Sequence, residues 1–139
     1  MRRNVLSQAA LSLLVLLAAA TLAVDGQTAA QQKSEIQRKA LLQQDLPIPG
    51  YNMVMNLVEI PAGVSEIRHT HPGTLAGYIV EGTLTLEHEG RPTATYAVGQ
   101  SFVVDAGKIH QGINAGSGPV KLVATLIVEK GKPQSSPAP

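Results

Sequence analysis

His69 and His71 stand two residues apart, a spacing that on an extended strand sends both side chains to one face, with their Cα atoms about 7 Å apart. Two imidazoles so placed can meet a single ion. A third, His110, lies far along the chain in its own turn-flanked segment. Three imidazoles suit zinc, iron, nickel or copper better than calcium or magnesium, which favour oxygen donors. The spacing alone leaves a plainer reading open, in which these are surface or structurally hydrogen-bonded histidines. The chain has no cysteine, which excludes disulfides, thiolate zinc sites and iron–sulfur clusters, so any metal must be held by histidine, carboxylate or carbonyl. No Ser, His and carboxylate set, phosphate loop or dinucleotide signature is present, and hydrolysis by a serine nucleophile is unsupported.

The elements that would carry these histidines read as strands. At 139 residues the chain has room for one compact domain, and with aromatic residues at only 3% its core must come from Val, Ile, Leu and Ala. Residues 53–60, 77–80, 83–87, 93–98, 101–104 and 120–128 are rich in β-branched or apolar residues. Turn formers such as Gly63, Pro72-Gly73, Glu89-Gly90, Gly99, Ala106-Gly107 and Gly116-Ser117-Gly118 separate them. Leu84 and Leu86 alternate with Thr83, Thr85 and Glu87, the pattern of a strand with one buried and one wet face. Short strands at this spacing, with no convincing helix between them, predict an antiparallel sandwich or barrel. The net charge of +1 includes no basic stripe, so nucleic acid is not expected as a partner.

The two ends differ from this middle. Arg2 and Arg3 precede an uncharged, Ala- and Leu-rich run over residues 9–24, the pattern of a secretory signal with cleavage after Ala23 or near Gly26. Residues 1–26 are therefore expected to be a signal peptide. An uncleaved anchor is the rival, although the run is short for a spanning helix. Removal would leave no stable membrane span and place the protein in the periplasm or make it secreted. Residues 27–45 are polar. Within them, Ser34 and Gln37 have capping-box spacing for a short helix, yet 38–42 could equally be a strand. Pro47, Pro49 and Gly50 end this segment. Residues 132–139, Pro and Ser without apolar periodicity, are expected to form a disordered tail.

Gly63, five residues, His69-Thr70-His71 and later Gly82 resemble the first motif of the cupin family. Gly99, five residues, Asp105-Ala106-Gly107, His110 and Asn114 resemble its second. The stretch 83–98 matches the hairpin between the motifs in small cupins, and the likeness runs over about residues 46–130. The segments His71-Pro72-Gly73, Tyr78 to Gly82 and Val128 to Pro133 are similar to those of small secreted single-domain cupins. The resemblance implies an all-β fold, the double-stranded β-helix or jelly-roll barrel, over residues 46–131. It implies His69, His71 and His110 as ligands of a divalent transition metal such as iron, zinc, nickel or manganese. It also favours the strand reading of 38–42, as a strand that can be swapped into a partner's sheet in a homodimer.

Two departures from the motifs matter unequally. Asp105 replaces a proline and still suits a turn. Leu75 occupies the place of the metal-binding glutamate and can donate nothing to a cation. Cupins lacking that carboxylate include both three-histidine iron dioxygenases and proteins that bind no metal. Of the remaining groups, His88 at the hairpin tip is expected to be exposed. Glu66 and Arg68, alternating with His69, should point away from the pocket, as should Gln111. Tyr78 reads as a packing residue, and Asn114 and the motif glycines as turn makers.

The function these features imply is that of an exported small cupin with a three-histidine metal site, a dioxygenase-like enzyme acting on a small oxygen-rich or enolizable substrate. A non-catalytic small-molecule-binding barrel without a functional metal site is the alternative, and Leu75 fits it without further assumptions.

Overall fold

A computed structural model describes residues 35–139. The expected signal peptide and Ser34 lie outside the described residues. The described chain forms ten strands and no helix. They are β1 (Gln37–Asp45), β2 (Tyr51–Ile60), β3 (His69–Thr70), β4 (Leu75–Glu81), β5 (Thr83–His88), β6 (Ala94–Ala97), β7 (Ser101–Val104), β8 (His110–Ile113), β9 (Val120–Glu129) and β10 (Ser136–Pro137). Two five-stranded antiparallel sheets result, in the orders β1-β2-β9-β4-β7 and β10-β3-β8-β5-β6. This is the all-β double-stranded β-helix expected from the sequence.

Alternation sets the interior. On β9, Val120, Leu122, Ala124, Leu126 and Val128 are buried, while the residues between them are less so. Val54 and Val58 from β2, Leu75 and Ile79 from β4, Leu84 and Leu86 from β5, and Phe102 and Val104 from β7 complete one apolar core. Phe102, the only phenylalanine, lies opposite Gly77 across the β4–β7 pair. A Cβ at Gly77 would stand 2.2 Å from its Cζ, so the ring fits only because position 77 lacks a side chain. The motif glycines Gly63, Gly82, Gly99 and Gly107 all take positive φ, as turn makers in the left-handed region should.

Residues 38–42 are strand, within β1, which pairs with β2 along its length and carries a bulge between Ala40 and Leu42. Every residue of β1 is exposed, so the strand is held by its backbone ladder at the sheet edge. Tyr78 points outward and is exposed, contrary to the packing role read from sequence. Its neighbours Gly77 and Ile79 take the inward positions of β4. The disordered tail is also corrected. Ser136 and Pro137 pair with Thr70 and His69 of β3, and the Ala138 N–H donates to the Arg68 carbonyl at 2.9 Å. Apolar periodicity could not show this segment, because it docks through its backbone.

Asn114 does more than make a turn. Its side chain is buried, with Nδ2 donating to the carbonyls of Ile60, Pro61 and Gly118 at 2.9–3.0 Å and Oδ1 accepting from the Gly116 N–H at 3.0 Å. The end of β2 is thereby joined to the loop entering β9. Asn114→Ala would strand several buried polar groups, and a loss of about 3 kcal/mol is expected in chemical denaturation. A loss under about 1 kcal/mol would show that water replaces the amide without penalty.

Candidate metal centre

The three predicted histidines converge. His69 and His110 face each other across the β3–β8 pair, and His71 follows one residue beyond β3. The ring centroids are 4.2 Å apart for His69–His110, 4.8 Å for His71–His110 and 4.9 Å for His69–His71. One ring nitrogen from each lies within 4.8 Å of the others, and all three residues are buried.

Hydrogen bonds decide which nitrogen is offered. His69 Nδ1 meets the Ile67 carbonyl at 2.7 Å, His71 Nδ1 the Gln134 carbonyl at 2.6 Å, and His110 Nδ1 the Lys108 carbonyl at 3.1 Å. A carbonyl only accepts, so each Nδ1 carries a proton, and in the neutral ring it is Nε2 that offers the lone pair. Burial pushes the His110 imidazole down from 6.5 to about 4, against the opposing pull of the Lys108 carbonyl. Burial likewise lowers His71, opposed by its bond to Gln134, with the charges of His69 and Arg38 adding to the depression. With Nδ1 committed to carbonyls, all three rings present Nε2 to a common point, and a transition metal requires that nitrogen unprotonated, a form that burial favours in His71 and His110, so the residues present fit such an ion.

The same shifts give the metal-free protein a pH dependence. In the unfolded chain these imidazoles bind protons near 6.5, whereas in the folded chain His110 does so only near 4. Between those values the unfolded state holds more protons, so stability is full above about 6.5 and is lost as pH falls toward 4. Urea midpoints of the metal-free protein should fall across this window, and His110→Phe should flatten the slope. A wild-type midpoint constant from pH 7 to 4.5 would contradict the buried neutral state.

The histidines open onto a cavity of about 180 Å³ whose walls include Leu75, Leu86, Phe102, Val104, Leu122 and Leu126. Leu75 is 8% exposed and takes its place in this wall. Arg38, Asn56, Glu66, Gln134 and Ser135 add polar lining.

Two side chains lie where the sequence did not place them. His88 is buried, not exposed, because the alternation of Leu84 and Leu86 continues to the last residue of β5. Its Nδ1 is bonded to the Glu89 carbonyl at 2.8 Å and its Nε2 receives the Asp105 N–H at 3.4 Å, so both nitrogens are engaged. Its ring stands 6.4 Å from that of His110, outside the converging set. Glu66 was expected to point away and instead lines the cavity. Residues 66–68 belong to no strand, so alternation does not govern them. The carboxylate pairs with Arg38 of β1 at 2.7 Å and reaches over Gly112 of β8, where an added Cβ would come within 2.7 Å of Oε2. Arg68 and Gln111 do lie off this cavity, together on a second depression.

A double-stranded β-helix with an inward cluster of imidazoles defines a class of barrel, and sequence comparison gives the family. The cupin domain family matches residues 56–128, and the chain belongs to it. No curated protein matches. Among solved structures, a conserved double-stranded β-helix protein from Klebsiella pneumoniae aligns over 76% of this chain and 85% of its own, at 17% identity and a TM-score of 0.62. The DMSP lyase DddQ from Ruegeria pomeroyi aligns over 74% of this chain and 51% of its own, at 17% identity and a TM-score of 0.63. KdgF from Halomonas sp. aligns over 68% of this chain and 81% of its own, at 21% identity and a TM-score of 0.55. At these identities the likeness establishes the fold.

Proposed function

We propose that His69, His71 and His110 hold one divalent transition metal, and that the protein is a metal-dependent enzyme acting on a small oxygen-bearing substrate, with dioxygenase-like chemistry when the metal is iron. The observation that carries this reading is the convergence of three buried imidazoles, each with Nδ1 committed to a carbonyl and Nε2 free. When bound, the ion supplies Lewis acidity and open coordination positions. The chain's own residues do the rest. Leu75, Phe102, Leu122 and Leu126 exclude water, and Glu66 brings a carboxylate to the cavity wall, held there by Arg38. A lyase and an oxalate oxidase occur among the solved structures of similar fold, which supports catalysis in such a barrel without choosing the reaction. Elemental analysis of untagged protein from its native compartment tests the proposal. About one equivalent of iron, zinc, nickel or manganese per chain is expected, and metal-free protein that also takes up none of these ions on incubation would refute it.

Leu75 supports the second reading, a binding barrel without a functional metal, because it completes an apolar wall where the family places a carboxylate. Under that reading a small apolar ligand stabilises the metal-free protein as strongly as the metal-treated one.

We also propose export and pairing. The signal-like residues 1–26 support removal on export to the periplasm or beyond, and an intact mass beginning near residues 24–27 in exported material checks it. The nine exposed residues of β1, with Leu41 and Leu42 each more than 40% exposed, support a homodimer in which this edge is covered. Light scattering that returns a monomer mass at micromolar concentration would refute pairing.

A further inference from the structure

The three imidazoles are not tied down in the same way. His69 and His110 bond to carbonyls two residues earlier, Ile67 and Lys108, so their orientation is set within their own segments. His71 bonds to Gln134, 63 positions away in the sequence. It also lies outside β3, where no strand ladder fixes its backbone beyond the bond from the Gly107 N–H to its carbonyl at 2.8 Å. The orientation of this one ring therefore depends on a distant segment.

That segment leaves β9 through a turn at Gly131, where φ is +82°, and the Lys132 N–H returns to the Glu129 carbonyl at 3.2 Å. It then crosses from the first sheet to the edge of the second. Gln134 and Ser135 line the cavity on the way, and Asn56 Nδ2 of β2 holds Gln134 Oε1 at 3.0 Å. The last hold is the short pairing of β10 with β3. Because the Ala138 N–H bonds to the Arg68 carbonyl, the alternation of an antiparallel ladder puts Pro137 opposite His69 at a position that exchanges no hydrogen bonds. Its missing N–H costs nothing there. Few backbone bonds hold the segment, and two of the residues it touches, His69 and His71, belong to the converging set.

We propose that residues 131–138 are a strap across the cavity mouth that positions His71 for the ion, so that strap docking and metal capture are coupled. The strap is a positioning element: the Gln134 carbonyl acts on the ion only by holding His71 Nδ1–H and aiming Nε2. This rests on the three-histidine reading above. Loss of a partner that orients a ligating imidazole lowers metal affinity by about 10–100-fold. Coupling is reciprocal, so a bound ion must favour the docked strap as the docked strap favours the ion.

The test uses zinc and nickel ions as probes, with calorimetry on the wild type and on a variant lacking residues 133–139. The variant's metal-free folding is checked by circular dichroism. A roughly 10–100-fold weaker Kd in a folded variant is expected. A second measurement needs no variant: saturating zinc should slow hydrogen exchange at the Ala138 amide, which reports docking against Arg68. An unchanged Kd in the folded truncation, or exchange at Ala138 indifferent to zinc, overturns the strap. Wild-type protein that binds neither ion overturns the three-histidine reading itself.

Discussion

His110→Ala is expected to lower metal affinity by about 10²–10³-fold. Apparent binding free energies of about 10–16 kcal/mol for structural zinc, shared over four ligands, give roughly 2.5–4 kcal/mol for each. His69→Ala and His71→Ala should fall in the same range. His88→Ala is the informative control, since that residue is also a buried histidine one strand away from His110. Both of its nitrogens are already engaged by Glu89 and Asp105. It should keep metal affinity within a few-fold while destabilising the fold by about 1–2 kcal/mol. Calorimetric titration of all four variants with zinc decides the matter. Equal loss across the four would mean that the cluster responds to general damage to the barrel and that no three of its members form a site.

The second large effect concerns Leu75. Its Cα is paired with Val104 on one side and Leu126 on the other, and its side chain lines the same cavity as the three imidazoles. Leu75→Glu would bring a carboxylate to that wall. Without metal the new group is a buried polar intruder among apolar neighbours, and a loss of about 2 kcal/mol or more is expected. With zinc or nickel the carboxylate supplies the negative charge that three neutral imidazoles lack. An affinity gain of tenfold adds about 1.4 kcal/mol to the metal-linked stabilisation at equal free metal. Thermal unfolding of both proteins with and without metal separates these terms. If the variant is destabilised equally in both conditions, position 75 does not look onto the ion.

The alternating strands and the shared face of His69 and His71 were legible because they depend on spacing, whereas the place of His110 beside them followed from the resemblance to the cupin motifs. His69 and His71 needed only the two-residue period, and β5 and β9 repeat apolar residues at every second place. His88 was within reach of the same rule. Its parity with Leu84 and Leu86 pointed inward, and the adjacent Glu89-Gly90 turn suggested exposure, but alternation persists to the end of a strand whose neighbours are paired. Glu66 was beyond reach. Its position on the cavity wall depends on the irregular path before β3 and on the space above Gly112, neither of which has a period. The strap escaped for a related reason, since backbone carbonyls and amides make its contacts and every residue type carries those.

The three carbonyls that hold the Nδ1 protons have a consequence for the heat and proton balance of binding. In His71 and His110, burial has already weakened the hold on a second proton. Near neutral pH these two rings are vacant of it before any ion arrives, and an incoming cation displaces nothing from them. Their share of the binding enthalpy is then independent of the buffer's own ionisation heat, and the affinity curve is flat in this range on their account. A cell compartment that acidifies toward the lower end of the window would still find the His110 lone pair available after an ordinary surface histidine had been titrated.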